Sequence, residues 1–99
     1  MNALVEMVRA ELAANDAGPL AVARGAMGKA NRDRNWPVRV AAYIAHVGLG
    51  VSQREAGRMV GREPKVVREA CAQVEDRRDD PAFDALMDRL ADKALASYA

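Results

Sequence analysis

The sequence predicts an all-α fold, a small helical bundle carrying a helix-turn-helix. Three observations predict it. Apolar residues recur at intervals of three and four and nowhere alternate with a period of two, so helices and no sheet are expected. The hydrophobic fraction is 51%, but much of it is alanine, and the aromatics are only Trp36, Tyr43, Phe83 and Tyr98. Small side chains suit helices that pack closely. Prolines, glycines and Ser or Asp residues fall where helices would start and stop. A chain of 99 residues suits a single domain.

Each element follows in order. Residues 2–14 place Leu4, Val5, Val8 and Leu12 on one stripe, with Glu6, Arg9 and Glu11 elsewhere; this is an amphipathic helix. Asp16-Ala17-Gly18-Pro19 ends it. Residues 19–30 are rich in Ala and Gly, and a short helix from Pro19 to about Ala26 is expected, with Pro in its first turn. The N-terminal helices thus occupy about 2–30. "GKANRDRNWP" reads as a polar, basic loop. From Pro37 onward, Val40, Ala41, Ile44, Ala45 and Val47 make an apolar face with Tyr43 beside it, and Gly48 and Gly50 end the helix.

Ser52 then opens a capping box, Ser-Gln-Arg-Glu. Its hydroxyl serves the N–H three residues on, and Glu55 reaches back. The helix from Gln53 to Val60 buries Ala56, Met59 and Val60. Gly57 leaves room for a neighbouring helix, and Gly61 makes the turn. Pro64 sits at a first helical position, where its missing N–H has no intrahelical partner to lose. Val67, Ala70, Cys71 and Val74 form the buried stripe behind it. This core covers about 37–77. Asp79-Asp80-Pro81 caps a last, acidic helix over about 81–97, with Phe83, Leu86, Met87, Leu90 and Leu95 on its apolar face.

Several function classes are excluded from expectation. No apolar run approaches the roughly 18 residues of a membrane span, and the mixed charge of the N-terminal pattern is not that of a secretory signal. One cysteine, Cys71, and one histidine, His46, give neither an internal disulfide nor a metal-ligand cluster. No G-x-x-x-x-G-K-[ST] run occurs, so no nucleotide site is expected. No nucleophile stands with a base, so the chain does not read as an enzyme, and no cofactor is expected. The default location is the cytoplasm.

Charge is segregated along the chain. Over 24–39, Arg24, Lys29, Arg32, Arg34 and Arg39 face only Asp33. Over 52–69, Arg54, Arg58, Arg62, Lys65 and Arg68 outnumber Glu55, Glu63 and Glu69. Over 75–92 acids dominate. A polyanion would be drawn to the middle of the chain, and the acidic end would point away from it or face a protein.

The capped helix, Gly turn and second helix with an apolar rear face make a helix-turn-helix pattern. In such units the second helix enters the major groove with its N-terminal residues against base edges. Arg62, Glu63, Lys65, Arg68 and Glu69 would project forward. Arg or Lys donates to guanine O6 and N7, and Glu accepts from cytosine N4. Ser52 and Arg54 are placed to meet a phosphate, with Gln53 beside them. Arg32, Arg34 and Arg39 would reach along the backbone or into an adjacent minor groove.

The stretch "VRVAAYIAHVGLGVSQREAGRMVGREPKVVREACAQVED" resembles the C-terminal, duplex-binding domain of the bacterial replication initiator DnaA. That family shows an Ala-rich "AxYLA" helix, a Ser, "EIG", a "GG-R-D-H-T-T-V" segment and "AC..I". The corresponding residues here are Ala41-Ala42-Tyr43-Ile44-Ala45, Ser52, Glu55-Ala56-Gly57, Gly61 to Val67, and Ala70-Cys71-Ala72-Gln73-Val74. The resemblance implies that Arg62 contacts phosphate and that Glu63, Pro64, Lys65 and Val66 stand at the base edges. Where the family has Asp-His-Thr-Thr, this chain has Glu63-Pro64-Lys65-Val66, so the initiator's sequence preference does not carry over. A stand-alone domain of this kind is similar to the activators of gene transfer agents. Those work with a sigma-factor or omega-like part that contacts RNA polymerase. The expectation is therefore a sequence-specific, double-stranded-DNA-binding transcription regulator, with the N-terminal helix and the acidic last helix as candidate partner surfaces. The alternatives are a replication-linked protein that binds or competes for origin boxes, and a protein-interaction module that has lost DNA binding.

Overall fold

The computed structural model describes residues 2–16 and 35–98. The expected short helix from Pro19, most of the basic loop and Arg34 lie outside the described residues. Among the described residues there are only helices. They are α1 (Ala3–Asp16), α2 (Trp36–Tyr43) continuing into a wider π turn (Ile44–Gly48), α3 (Gln53–Val60), α4 (Pro64–Arg77) and α5 (Pro81–Tyr98). The chain is therefore a small all-α bundle.

The expected α1 stripe is core: Leu4, Val5, Val8 and Leu12 are all buried. The Asn2 side chain accepts from the Val5 N–H at 3.1 Å and donates to the Met59 carbonyl at the end of α3. It thereby caps one helix and ties it to another. This gives α1 a structural duty, and only its outer face, with the Glu6–Arg9 pair, meets solvent.

The centre of the bundle is α2, which packs against α1, α3 and α4. Trp36, Pro37, Val40, Ala41, Ala42 and Tyr43 are all buried. Its small alanines let neighbouring backbones come close. Trp36 packs 6.1 Å from Phe83 of α5, and the Arg77 guanidinium covers its ring at 4.9 Å.

Val47 departs from expectation and is 52% exposed. The cause is the π turn. The Leu49 N–H reaches five residues back to the Ile44 carbonyl, at 2.9 Å. The wider turn advances each residue by less rotation, which carries Val47 off the apolar stripe. His46 Nδ1 lies 2.7 Å from the Val51 carbonyl. A carbonyl only accepts, so Nδ1 carries the proton and the ring pins the loop before α3. On α5 the buried stripe is Phe83, Leu86, Met87, Leu90 and Ala94. Leu95, expected on it, is 43% exposed, because it falls about 100° round the helix from Ala94.

Candidate nucleic-acid interface

The pair α3–α4 is built as the capping and turn residues dictate. Ser52 is the N-cap of α3, in extended conformation, and its hydroxyl accepts from the Glu55 N–H at 3.0 Å. The reciprocal arm of the expected box is replaced: the Glu55 carboxylate lies 3.5 Å from Arg58 instead. Gly61 closes the helix at φ 71°, in the left-handed region. The Gly57 carbonyl receives both the Gly61 N–H and, at 2.8 Å, the Arg62 N–H. This is a Schellman-type ending.

Gly57 does more than leave room for a helix. A Cβ there would sit 2.4 Å from the Arg62 carbonyl oxygen. What approaches Gly57 is the backbone of the turn, not a neighbouring helix. The turn is thus folded tightly under α3, and α4 starts from a fixed place.

Behind the turn, Val67, Ala70 and Val74 of α4 are at 0% exposure. Cys71, expected on that stripe, is only partly buried. Burial, with the nearby Glu75 carboxylate adding, pushes its thiol above the usual value. The opposite face of α4 is open. Arg62, Glu63, Pro64, Lys65, Arg68, Glu69, Ala72, Gln73 and Asp76 are exposed, and Val66 is half-buried. At the start of α3, Ser52 and Arg54 are exposed and Gln53 is half-buried.

Partnering divides the basic residues. The Arg62 Nη1 donates to the adjacent Gly61 carbonyl at 3.0 Å. Arg58 is occupied by Glu55. Among the described residues Arg54, Lys65 and Arg68 have no ion pair. Glu63, the N-cap of α4, makes no side-chain cap bond. In the first turn of α4 Pro64 has no N–H and the Val66 N–H is bonded to the Glu63 carbonyl at 3.0 Å, so among the first-turn amides only the Lys65 N–H lacks a backbone acceptor, beside the positive dipole end. Arg39 is half-buried, and its Nη1 donates to Gln73 Oε1 on α4 at 2.8 Å. Arg34 lies outside the described residues.

The far end of α4 is locked by a network that sequence reading missed. Arg78 Nε donates to Asp84 at 2.5 Å, its Nη2 to Asp88 at 2.6 Å, and its Nη1 to the Tyr43 hydroxyl at 2.8 Å. The Tyr43 hydroxyl in turn donates to Glu75. Burial opposes the Arg78 charge, but Asp84, Tyr43 and Asp88 outweigh it and hold the guanidinium charged above the ordinary arginine value. Burial, then the Glu75 hydrogen bond, raises the Tyr43 phenol. One signal was legible: a tyrosine on an alanine-rich buried helix needs a partner for its hydroxyl. Asp84 and Asp88, in the acidic run expected to point away from a polyanion or to face a protein, are thus engaged within the chain.

Among the described residues no group of three His, Cys, Asp or Glu side chains is placed to hold a metal ion. Among them, too, no helix is long and apolar enough to cross a membrane. Fold and site together define a small all-α domain with an exposed, partly basic second helix behind a short turn. No protein-family model, no curated protein and no solved structure matches the chain.

Proposed function

We propose that the chain is a sequence-specific double-stranded-DNA-binding regulator of transcription, reading the major groove with the N-terminal half of α4 in the manner of the DnaA duplex-binding domain. One observation carries the reading. The outward face of α4 presents Lys65 and Arg68 without an ion pair among the described residues, while its opposite stripe is fully buried. Such a helix is held firmly by its back and offers long donors at its front. Lys65 would donate to guanine, Glu69 would accept from cytosine, and Arg54 and Arg62 would meet phosphates. Pro64 contributes shape alone, since it has no N–H.

As a regulator the protein would act in the cytoplasm on the nucleoid. It would work with RNA polymerase, directly or through a separate sigma- or omega-like subunit. The test is fluorescence anisotropy against a duplex selected from a randomised pool. Replacing Arg62 and Lys65 together by Ala should weaken specific binding by at least about tenfold, the equivalent of about 1.4 kcal/mol. Unchanged affinity refutes the assignment of α4. Genome-wide occupancy separates promoters from origin boxes, and absence of any duplex affinity leaves a protein-interaction module.

A further inference from the structure

The Arg39–Gln73 pair has a geometry that the reading end of α4 does not use. Gln73 lies on the exposed side of α4, at the edge that α2 approaches. Arg39 reaches it from α2, with one Nη1 hydrogen bond of 2.8 Å to Gln73 Oε1. A guanidinium has five N–H donors, so this bond fixes the group and leaves most of its donors without a partner among the described residues. The carboxylates on that side of α4, Glu69 and Asp76, form no ion pair with Arg39 among the described residues. A charged fork held by a neutral amide keeps its full charge for another anion.

Position supplies the rest. Lys65 and Gln73 are two turns apart on α4, about 12 Å along the axis at 1.5 Å per residue. The major groove is itself about 12 Å wide. Arg54 and Arg62 flank the start of α4 at one phosphate wall, Lys65 stands just inside that wall with its side chain on the bases, and Gln73 lies about 12 Å further along the axis, toward the opposite wall. We infer that the Arg39–Gln73 pair is a second phosphate clamp, holding the DNA strand across the groove from the one met by Arg54 and Arg62. Gln73 orients the fork through its oxygen and presents its own amide N–H groups to the same phosphate. Glu69 and Ala72 would lie between the two clamps, over the bases. This rests on the proposed DNA-binding function and adds a contact on the opposite side of the helix.

The experiment measures binding of the full chain to the same selected duplex across a range of salt concentrations. Each phosphate contact contributes about 0.9 to the slope of log affinity against log salt. Arg39→Gln should lower that slope by about one and weaken binding several-fold at moderate salt. The ranking of base-substituted duplexes should stay the same. Gln73→Glu should act in the same direction, because a carboxylate would neutralise the fork, whereas Arg39→Lys should keep most of the slope. Thermal melting checks that each variant is folded, and Gln73→Glu, an exposed change, carries the test if Arg39→Gln does not fold. If the wild-type chain binds no duplex, the DNA-binding function itself fails. If wild type binds and both Arg39→Gln and Gln73→Glu leave slope and affinity unchanged, the clamp alone is overturned. A changed base ranking would also overturn it, placing Arg39 at base edges.

Discussion

Replacing Gly57 by Ala tests whether the turn is packed as tightly as its geometry requires. The new Cβ would lie 2.4 Å from the Arg62 carbonyl oxygen, with the Arg62 and Glu63 carbonyl carbons at 3.4 and 3.5 Å. A carbon–oxygen contact relaxes at about 3.3 Å, so the carbonyl must retreat by about 1 Å. It cannot do so alone, because the Arg62 N–H is bonded to the Gly57 carbonyl at 2.8 Å. The start of α4 must move with it. Forced backbone shifts of this kind cost about 1–3 kcal/mol, and the absence of a yielding side chain puts this one near the top. Alanine returns up to about 1 kcal/mol of helix propensity. The net loss is about 2 kcal/mol, or about 8–16 °C in Tm for a domain of this size. Thermal melting followed by helix ellipticity measures it, and amide chemical shifts should change most from Arg62 to Lys65. Gly61→Ala is the control. Nothing lies within 4 Å of its added Cβ, so it should cost only the left-handed backbone penalty, about 1–2 kcal/mol. A Gly57→Ala protein that melts at or above the wild-type temperature would refute the reasoning, since the propensity gain would then be unopposed.

Other outcomes follow from the same packing. Ser52→Ala removes the N-cap of α3 and should cost about 1 kcal/mol in urea denaturation; no loss would mean that another acceptor serves the Glu55 N–H. Arg78→Ala strips the donors that join Tyr43, Asp84 and Asp88, and should cost about 2 kcal/mol, with the exposed Asp88 pair contributing least. Stability within error of wild type would remove Arg78 from its place as hub. The Tyr43 phenol is raised, so the folded chain keeps its proton where the unfolded chain has lost it. That contribution is whole below about pH 10 and is lost as pH rises through the folded value. Melting temperature should therefore fall above about pH 10, and less steeply in Tyr43→Phe. The Cys71 thiol, raised by burial, should react slowly with a disulfide reagent at neutral pH and rapidly once urea unfolds the chain.

Much of this arrangement was legible in the residues because it is local. The spacing of Leu4, Val5, Val8 and Leu12 is set by a regular helix, and each one is buried. The caps at Ser52 and Gly61 and the start at Pro64 depend on a few adjacent residues, and they stand where expected. The departures came from two sources. Val47 and Leu95 were assigned by counting apolar residues, but the π turn and the register of Ala94 decide which way they face. Arg78 and Gln73 were missed because their partners, Tyr43 and Arg39, are more than thirty residues away in the chain. A run of mixed charge gives no sign of which arginine folds inward. The exposed face of α4 follows from its buried stripe, whereas what that face binds rests on chemistry that only a duplex can test.

The π turn between Tyr43 and Leu49 has a consequence for chain length. A turn closed by five-residue hydrogen bonds accommodates one more residue than an ordinary helical turn. Removing a residue from Ile44–Gly48 could restore regular winding without moving either flank far. Deletions here should be tolerated better than deletions inside the straight part of α2.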